Sequence, residues 1–297
     1  FIVLAVAYFG YVLWIDTRGT AAVFTRFTKP IGWQDLVAAR LATYPVSVVN
    51  YGMGQATFAY YLHRKRRIPI PDVLGVFFLI LMADIGWAIF LAFVGSLLHD
   101  YQIAGVAIRP FVRIIAGVAV VAMCLHLGFW RLGRLRLIAR LPGWSRLLAW
   151  LETKHLVRIF REATLFDYAR LALWRLPIHA MFPLTFYAIA LLFHTHVPFW
   201  QLLGAVPIVI LIGTIPITPG GLGTTNAAFV EMLRGSIATP PLEQGAVTTQ
   251  ELILAMTLLW MFANYFQKAL FGGIFLARMG KDLRHPPVPA VTTHPPL

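Results

Sequence analysis

Apolar runs of membrane-crossing length alternate with short polar links along the chain. They cover residues 1–15, 36–62, 72–98, 110–130, 177–197 and 252–277, and a further apolar stretch occupies 199–235. About 18 nearly uncharged residues suffice to cross a hydrocarbon core of about 30 Å as helix. Strands of alternating polarity are absent. The expected fold is therefore an all-α membrane protein, a polytopic bundle of about six spanning helices with two broken or re-entrant segments. The first run opens on Phe1 and reaches only Ile15, which reads as a first helix whose start has been trimmed, followed by a polar link over 16–35.

Basic blocks close several runs: "HRKRR" at 63–67, "RLGRLRLIAR" at 131–140 and "RMGKDLR" at 278–284. The positive-inside tendency places all three in the cytoplasm, giving a multi-pass protein of the plasma or inner membrane with a cytoplasmic C-terminus. The last helix then runs inward, so 199–235 must begin and finish on the outer side as a re-entrant hairpin. Residues 144–174 mix charge with apolar positions, and Lys154, Arg158 and Arg161 fall on one helical stripe. They read as interfacial helices facing anionic headgroups or as linker helices packed on the domain. One membrane domain over 1–280 is expected, with a disordered proline-rich tail over 281–297.

The net charge of +13 changes the picture little, because the basic residues sit at the ends of apolar runs. Charge there points to anionic membrane lipids as partners and away from nucleic acid. The lone Cys124 excludes an internal disulfide framework and a multi-cysteine metal site, and is read as a small buried hydrophobe. "HTH" at 194–196 is too short to propose a metal site. No cofactor or metal is expected. Hydrolase, zinc-protease and nucleotide-loop motifs are absent, so the expectation is a protein without enzymatic activity.

Two apolar stretches interrupt themselves. In "PGGLGTTN", Pro219 stops one helix, Gly220, Gly221 and Gly223 permit positive φ, and Thr224, Thr225 or Asn226 can cap a second helix. The free N–H groups of such a helix start suit a phosphate; a tight turn that merely fits a hairpin into the membrane is the bland alternative. In "YPVSVVNYGMGQATF", Asn50, Gly52, Gly54 and Gln55 follow Pro45. Breaks in both halves of a membrane chain point to a transporter with its substrate site at the breaks, although no residue-level repeat is visible.

Asp84 lies mid-run, where a lipid-facing carboxylate would cost at least about 3 kcal/mol, so it should face inward and find a partner. Asn264, Gln267 and Lys268 share one face of the last helix. Lys268 is the expected partner of Asp84 or the cation that meets a lipid phosphate, and an interhelical clamp is the structural alternative. Glu231 is expected to pair with Arg113 or Lys268 or to lie on the outer surface. Arg175 and His179 are read as snorkelling interfacial anchors.

At "PGGLGTTNAAFVEML" the chain resembles the lysylphosphatidylglycerol synthase transmembrane family of flippase-like membrane proteins, over about residues 36–277. The family tends to have a glutamate where this chain has Asn226. The resemblance implies movement of a phospholipid or isoprenoid-linked lipid between leaflets, with two re-entrant segments facing each other. No stretch matches the soluble aminoacyl-transfer domain of bifunctional members, so a separate synthase partner or a homo-oligomer is expected. The alternatives are a membrane enzyme acting on a lipid phosphate and a non-transporting subunit of an envelope pathway.

Overall fold

The computed structural model describes residues 1–132, 157–214, 218, 221–237 and 248–284. The chain forms α1 (Ile2–Phe27), α2 (Trp33–Val49), α3 (Tyr51–Arg66), α4 (Ile70–Leu98), α5 (Arg109–Leu132), α6 (Arg158–Glu162), α7 (Leu165–Leu192), α8 (Phe199–Thr214), α9 (Thr224–Leu233) and α10 (Thr249–Arg284). A two-stranded antiparallel ribbon, β1 (Gln102–Ile103) with β2 (Val106–Ala107), links α4 to α5. The protein is a helical membrane bundle.

Among the described residues, four helices are long and apolar enough to cross a membrane: α1, α4, α7 and residues Arg109–Trp130 of α5. The two other expected spanning runs differ from these four for separate physical reasons. Residues 36–62 fold into two helices, and α2 with 17 residues rises only about 26 Å. The 36-residue α10 is long enough, but its polar stripe dilutes its apolar character.

Two helical boundaries also move. The polar link expected over 16–35 is helical as far as Phe27, because Ala21, Val23, Phe24 and Phe27 are buried. The run expected from residue 177 begins at Leu165, where Thr164 Oγ1 accepts from the Asp167 N–H (3.1 Å) and Asp167 Oδ2 accepts from the Thr164 N–H (2.8 Å). That reciprocal cap fixes the helix start.

α2 and α3 fold back on each other at Asn50. Lys29 Nζ donates to the Arg67 carbonyl (3.2 Å) and Arg66 pairs with Asp35, so the two ends of the unit lie together. Ser47 and Gly54 touch near its tip, where a Cβ on Gly54 would come 2.8 Å from Ser47 Cα. The second hairpin, α8 with α9, opens at the opposite end of the bundle. There the Tyr101 hydroxyl donates to the Gln201 carbonyl (2.8 Å) and the Ala104 N–H donates to Glu231 Oε2 (3.0 Å). Gly213 and Thr225 meet near its tip.

Each hairpin organises an apolar core. Leu36, Phe58, Leu62, Val73, Leu79, Phe24 and Leu171 pack around α2 and α3. Leu202, Val206, Phe229, Met232, Ile189, Ala92 and Trp260 pack around α8 and α9. α1, α4 and α7 place buried residues in both cores, and each carries charge at the level between them: Asp16 on α1, Asp84 on α4, Arg175 and His179 on α7.

Of the stripe at Lys154, Arg158 and Arg161, Lys154 lies outside the described residues. Arg158 turns inward, donating to the Phe27 carbonyl (2.8 Å) and pairing with Asp72 (3.2 Å), so this part packs on the domain. Cys124 is exposed on α5, not buried as expected, because α5 lies at the rim of the bundle and only 6% of its apolar window is buried. Residues 285–297, most of the expected tail, lie outside the described residues.

Candidate functional site between the two hairpins

The layer between the cores is built around a chain of buried charges. Arg175 grips Asp84 with two hydrogen bonds, Nε to Oδ1 at 2.6 Å and a terminal nitrogen to Oδ2 at 2.8 Å. Its other terminal nitrogen reaches Asp16 Oδ1 at 2.5 Å, and Arg40 Nε donates to Asp16 Oδ2 at 2.9 Å. His179 Nε2 completes the chain at 3.0 Å from Asp84 Oδ1. Four helices are tied together by the sequence Arg40, Asp16, Arg175, Asp84, His179. Planar guanidinium–carboxylate forks of this kind hold direction as well as charge.

This arrangement corrects two expectations. Asp84 does face inward and is partnered, but by Arg175 and His179, not by Lys268. Arg175 and His179 are no interfacial anchors; they are 7% and 5% exposed. Leu171 and Ile178 are buried on the same helix, so this pair lies on the packed stripe of α7. Asp16 and Arg40 escaped sequence reasoning because Asp16 stands at the end of an apolar run and its partners are 24 and 159 residues away. Glu231 is likewise reassigned: it pairs with Arg234 (3.1 Å) and accepts the Ala104 N–H.

Lys268 sits beside this network without joining it. Its ammonium lies 5.6 Å from the ring centre of Tyr44 and 5.8 Å from that of Tyr265. Tyr44 in turn lies within electrostatic reach of Asp16, Arg40 and Arg175. Among the described residues no carboxylate forms an ion pair with Lys268. The two arginines and two aspartates cancel, so Lys268 leaves this layer with one uncompensated cation.

The neighbours of Lys268 have unused hydrogen-bonding capacity. Asn264 Oδ1 and Gln267 Oε1 on the same helix are buried acceptors without a donor, although Gln267 Nε2 donates to the Ala263 carbonyl (3.1 Å); Gln55 Oε1 on α3 is a third such atom. Unmet buried polar atoms cost about 1–3 kcal/mol each, so such groups together mark a place where a ligand or water completes the bonding. Their position along α10 is equally informative. Thr225 of the second hairpin contacts Met261 (3.7 Å), less than one turn before Asn264. Pro45 of the first hairpin fills the space against Gly272, about one turn after Lys268. The polar stripe thus occupies the stretch of α10 between the two hairpin tips.

The breaks themselves are well satisfied. Asn50 caps α3 by accepting the Met53 N–H at 3.0 Å, with Gly52 beside its Oδ1. Gly221 and Gly223 have φ of +77° and +86°, the left-handed region where a side chain is strained. Thr224 and Thr225 donate to the Gly221 carbonyl at 3.2 and 2.8 Å. Pro219 and Gly220 lie outside the described residues. None of Thr224, Thr225 and Asn226 is the residue preceding α9; that is Gly223, whose N–H is satisfied by Asn226 Oδ1 at 3.1 Å. Asn226 Nδ2 also donates to Thr257 Oγ1 at 2.9 Å, pinning the hairpin to α10. Among the described residues no cluster of metal-ligating side chains is present.

A family model described as the lysylphosphatidylglycerol synthase TM region matches residues 1–272. No curated protein and no solved structure matches the chain.

Proposed function

Since the chain belongs to the lysylphosphatidylglycerol synthase transmembrane family, a family of membrane lipid context, we propose that it moves an anionic lipid headgroup between leaflets. The two hairpins act as re-entrant segments entering from opposite faces, the basic end of the bundle being cytoplasmic. The headgroup phosphate pairs with Lys268 in the stretch between the hairpin tips. Headgroup hydroxyl or amine donors meet Asn264, Gln267 and Gln55, and the N-terminal amides of α9 add a favourable field from the other side. The acyl chains stay in the bilayer while the headgroup passes through the polar layer.

The observation that carries this reading is the uncompensated Lys268 among unpartnered acceptors at mid-bundle. A cation there is costly unless an anion visits it. A purely structural role would have matched it with a carboxylate, as Arg175 is matched. Among the described residues no carboxylate forms an ion pair with Lys268, and the groups against it are the Tyr44 and Tyr265 rings, an arrangement that favours binding a phosphate over cutting it.

The test is lipid binding to purified protein in detergent, comparing phosphatidylglycerol with phosphatidylcholine. Wild type should prefer the anionic lipid, and Lys268→Gln should cut that preference about tenfold, the loss of about 1.4 kcal/mol of charge-assisted contact. Equal binding of both lipids, or a preference untouched by Lys268→Gln, would remove the site.

A further inference from the structure

Arg18 stands on the exposed face of α1, nine residues and about 14 Å before the helix ends at Phe27. A headgroup layer about 6 Å thick does not reach that deep, so a charge rooted there is costly without an anion. The carboxylates nearest to it in sequence are committed elsewhere, Asp16 to Arg40 and Arg175, and Asp35 to Arg66. Among the described residues Arg18 forms no ion pair and no hydrogen bond. What it has is a pair of indoles. Its guanidinium carbon lies 5.0 Å from the ring centre of Trp14, one turn back on α1, and 5.4 Å from that of Trp33, the first residue of α2. Both tryptophans are themselves exposed, at 43% and 36%. Ring faces brace a guanidinium and leave its N–H edge open. Snorkelling toward water needs no such brace from two helices. The indole N–H groups of Trp14 and Trp33 also meet no acceptor among the described residues, and both residue types donate without accepting. The cluster therefore offers positive charge and donors alone, on a face turned away from the bundle.

We propose that Arg18, Trp14 and Trp33 form a binding site for the phosphate of an anionic phospholipid, in the leaflet at the basic end of the bundle. The guanidinium edge takes two phosphate oxygens in a fork, and the indole N–H groups serve the remaining phosphate and ester oxygens. An acyl chain lies along the exposed stripe of α1 formed by Trp14, Gly10 and Ala7, which share one helical face. A choline headgroup brings a second cation to a cluster without a carboxylate, so phosphatidylglycerol is favoured over phosphatidylcholine. Because Trp14 and Arg18 belong to α1 and Trp33 to α2, the bound lipid ties the base of the first hairpin to the bundle. The site is separate from Lys268, whose ring partner Tyr44 lies 11 residues, about 16 Å, further along α2. It does not depend on the transport reading.

The experiment uses the purified protein in phosphatidylcholine nanodiscs with a trace of phosphatidylglycerol carrying a photoreactive diazirine near the top of one acyl chain. Cross-linked positions are mapped by mass spectrometry. Label should concentrate at 10–18 and around Trp33, above its level on the exposed face of α5 at Ile114, Val118 and Val121, which touches bulk lipid. Unlabelled phosphatidylglycerol should displace it, whereas added phosphatidylcholine and water-soluble glycerol phosphate should not. Arg18→Gln should cut the label at this site about tenfold and leave that on α5 unchanged. The α5 label in the same sample also reports whether the variant is folded, and Trp33→Leu, which keeps the charge and removes one brace, should lower the site label by a smaller factor. Label no denser than on α5, label untouched by Arg18→Gln, or equal displacement by phosphatidylcholine would each overturn the site. Displacement by glycerol phosphate would overturn the lipid as its occupant in favour of a free phosphate ester.

Discussion

Replacing Arg175 by methionine preserves much of the side chain's length and removes the guanidinium that bridges two carboxylates. Three hydrogen bonds go, at 2.6 and 2.8 Å to Asp84 and at 2.5 Å to Asp16. The two carboxylates fare differently. Asp16 keeps Arg40 at 2.9 Å, whereas Asp84 keeps only His179. Stranding one member of a buried pair costs about 3–5 kcal/mol, and a lone carboxylate at the centre of a membrane helix about 2.5–3.5 kcal/mol. Because Asp84 keeps the His179 hydrogen bond, a loss at the lower end of that range, about 3 kcal/mol, is expected. The double variant Arg175→Met with Asp84→Leu removes the stranded charge and should return to within about 1 kcal/mol of wild type. Helix content followed by circular dichroism in mixed micelles of rising SDS fraction measures both. A single variant as stable as wild type, or a double variant no better than the single one, would refute the reasoning.

Further outcomes follow from local geometry. Gly54→Val pushes a side chain into Ser47 and should destabilise the first hairpin by about 1–3 kcal/mol in the same assay; an unchanged midpoint would show that the hairpin opens freely. Asn226→Leu loses the bonds to the Gly223 N–H and the Thr257 hydroxyl, for about 1–3 kcal/mol, and should speed amide exchange at 221–226; unaltered exchange there would contradict the pinning role. Burial pushes the Tyr101 phenol up to about 12, above its ordinary value of about 10. The unfolded chain then loses this proton first, so the native state should lose stability as pH rises from about 10 to about 12. Tyr101→Phe should remove that part of the pH dependence, and an identical profile in the variant would sink the assignment.

Much of the architecture could be read from local sequence. The fold-back of the second hairpin followed from a proline–glycine cluster inside an apolar run and from where the basic blocks fall. The inward direction of Asp84 followed from the cost of charge in lipid, and the shared face of Asn264, Gln267 and Lys268 from helical spacing. What local sequence could not supply was pairing across the bundle. Asp84 finds Arg175 across 91 residues, and nothing near either residue distinguishes that cation from Lys268. The usable signal was the stripe of Leu171, Arg175, Ile178 and His179, which places the charged residues on the packed side of α7. Asp16 was obscured because a charge closing an apolar run looks like a helix end; only with Arg40 and Arg175 in place can α1 continue past it to Phe27.

The central claim, that a lipid headgroup crosses through the layer between the hairpins, is tested most directly by transbilayer movement of headgroup-labelled phospholipids in vesicles carrying the purified protein. Wild type should be compared with Lys268→Gln and Gly221→Leu. Lys268→Gln removes the cation, and Gly221→Leu forces a side chain onto a φ of +77° against Thr225. The account predicts rapid movement of the anionic lipid by wild type and at least about tenfold slower movement in both variants with their helix content intact. Wild type that moves no labelled lipid, or variants that move it at the wild-type rate, would contradict it.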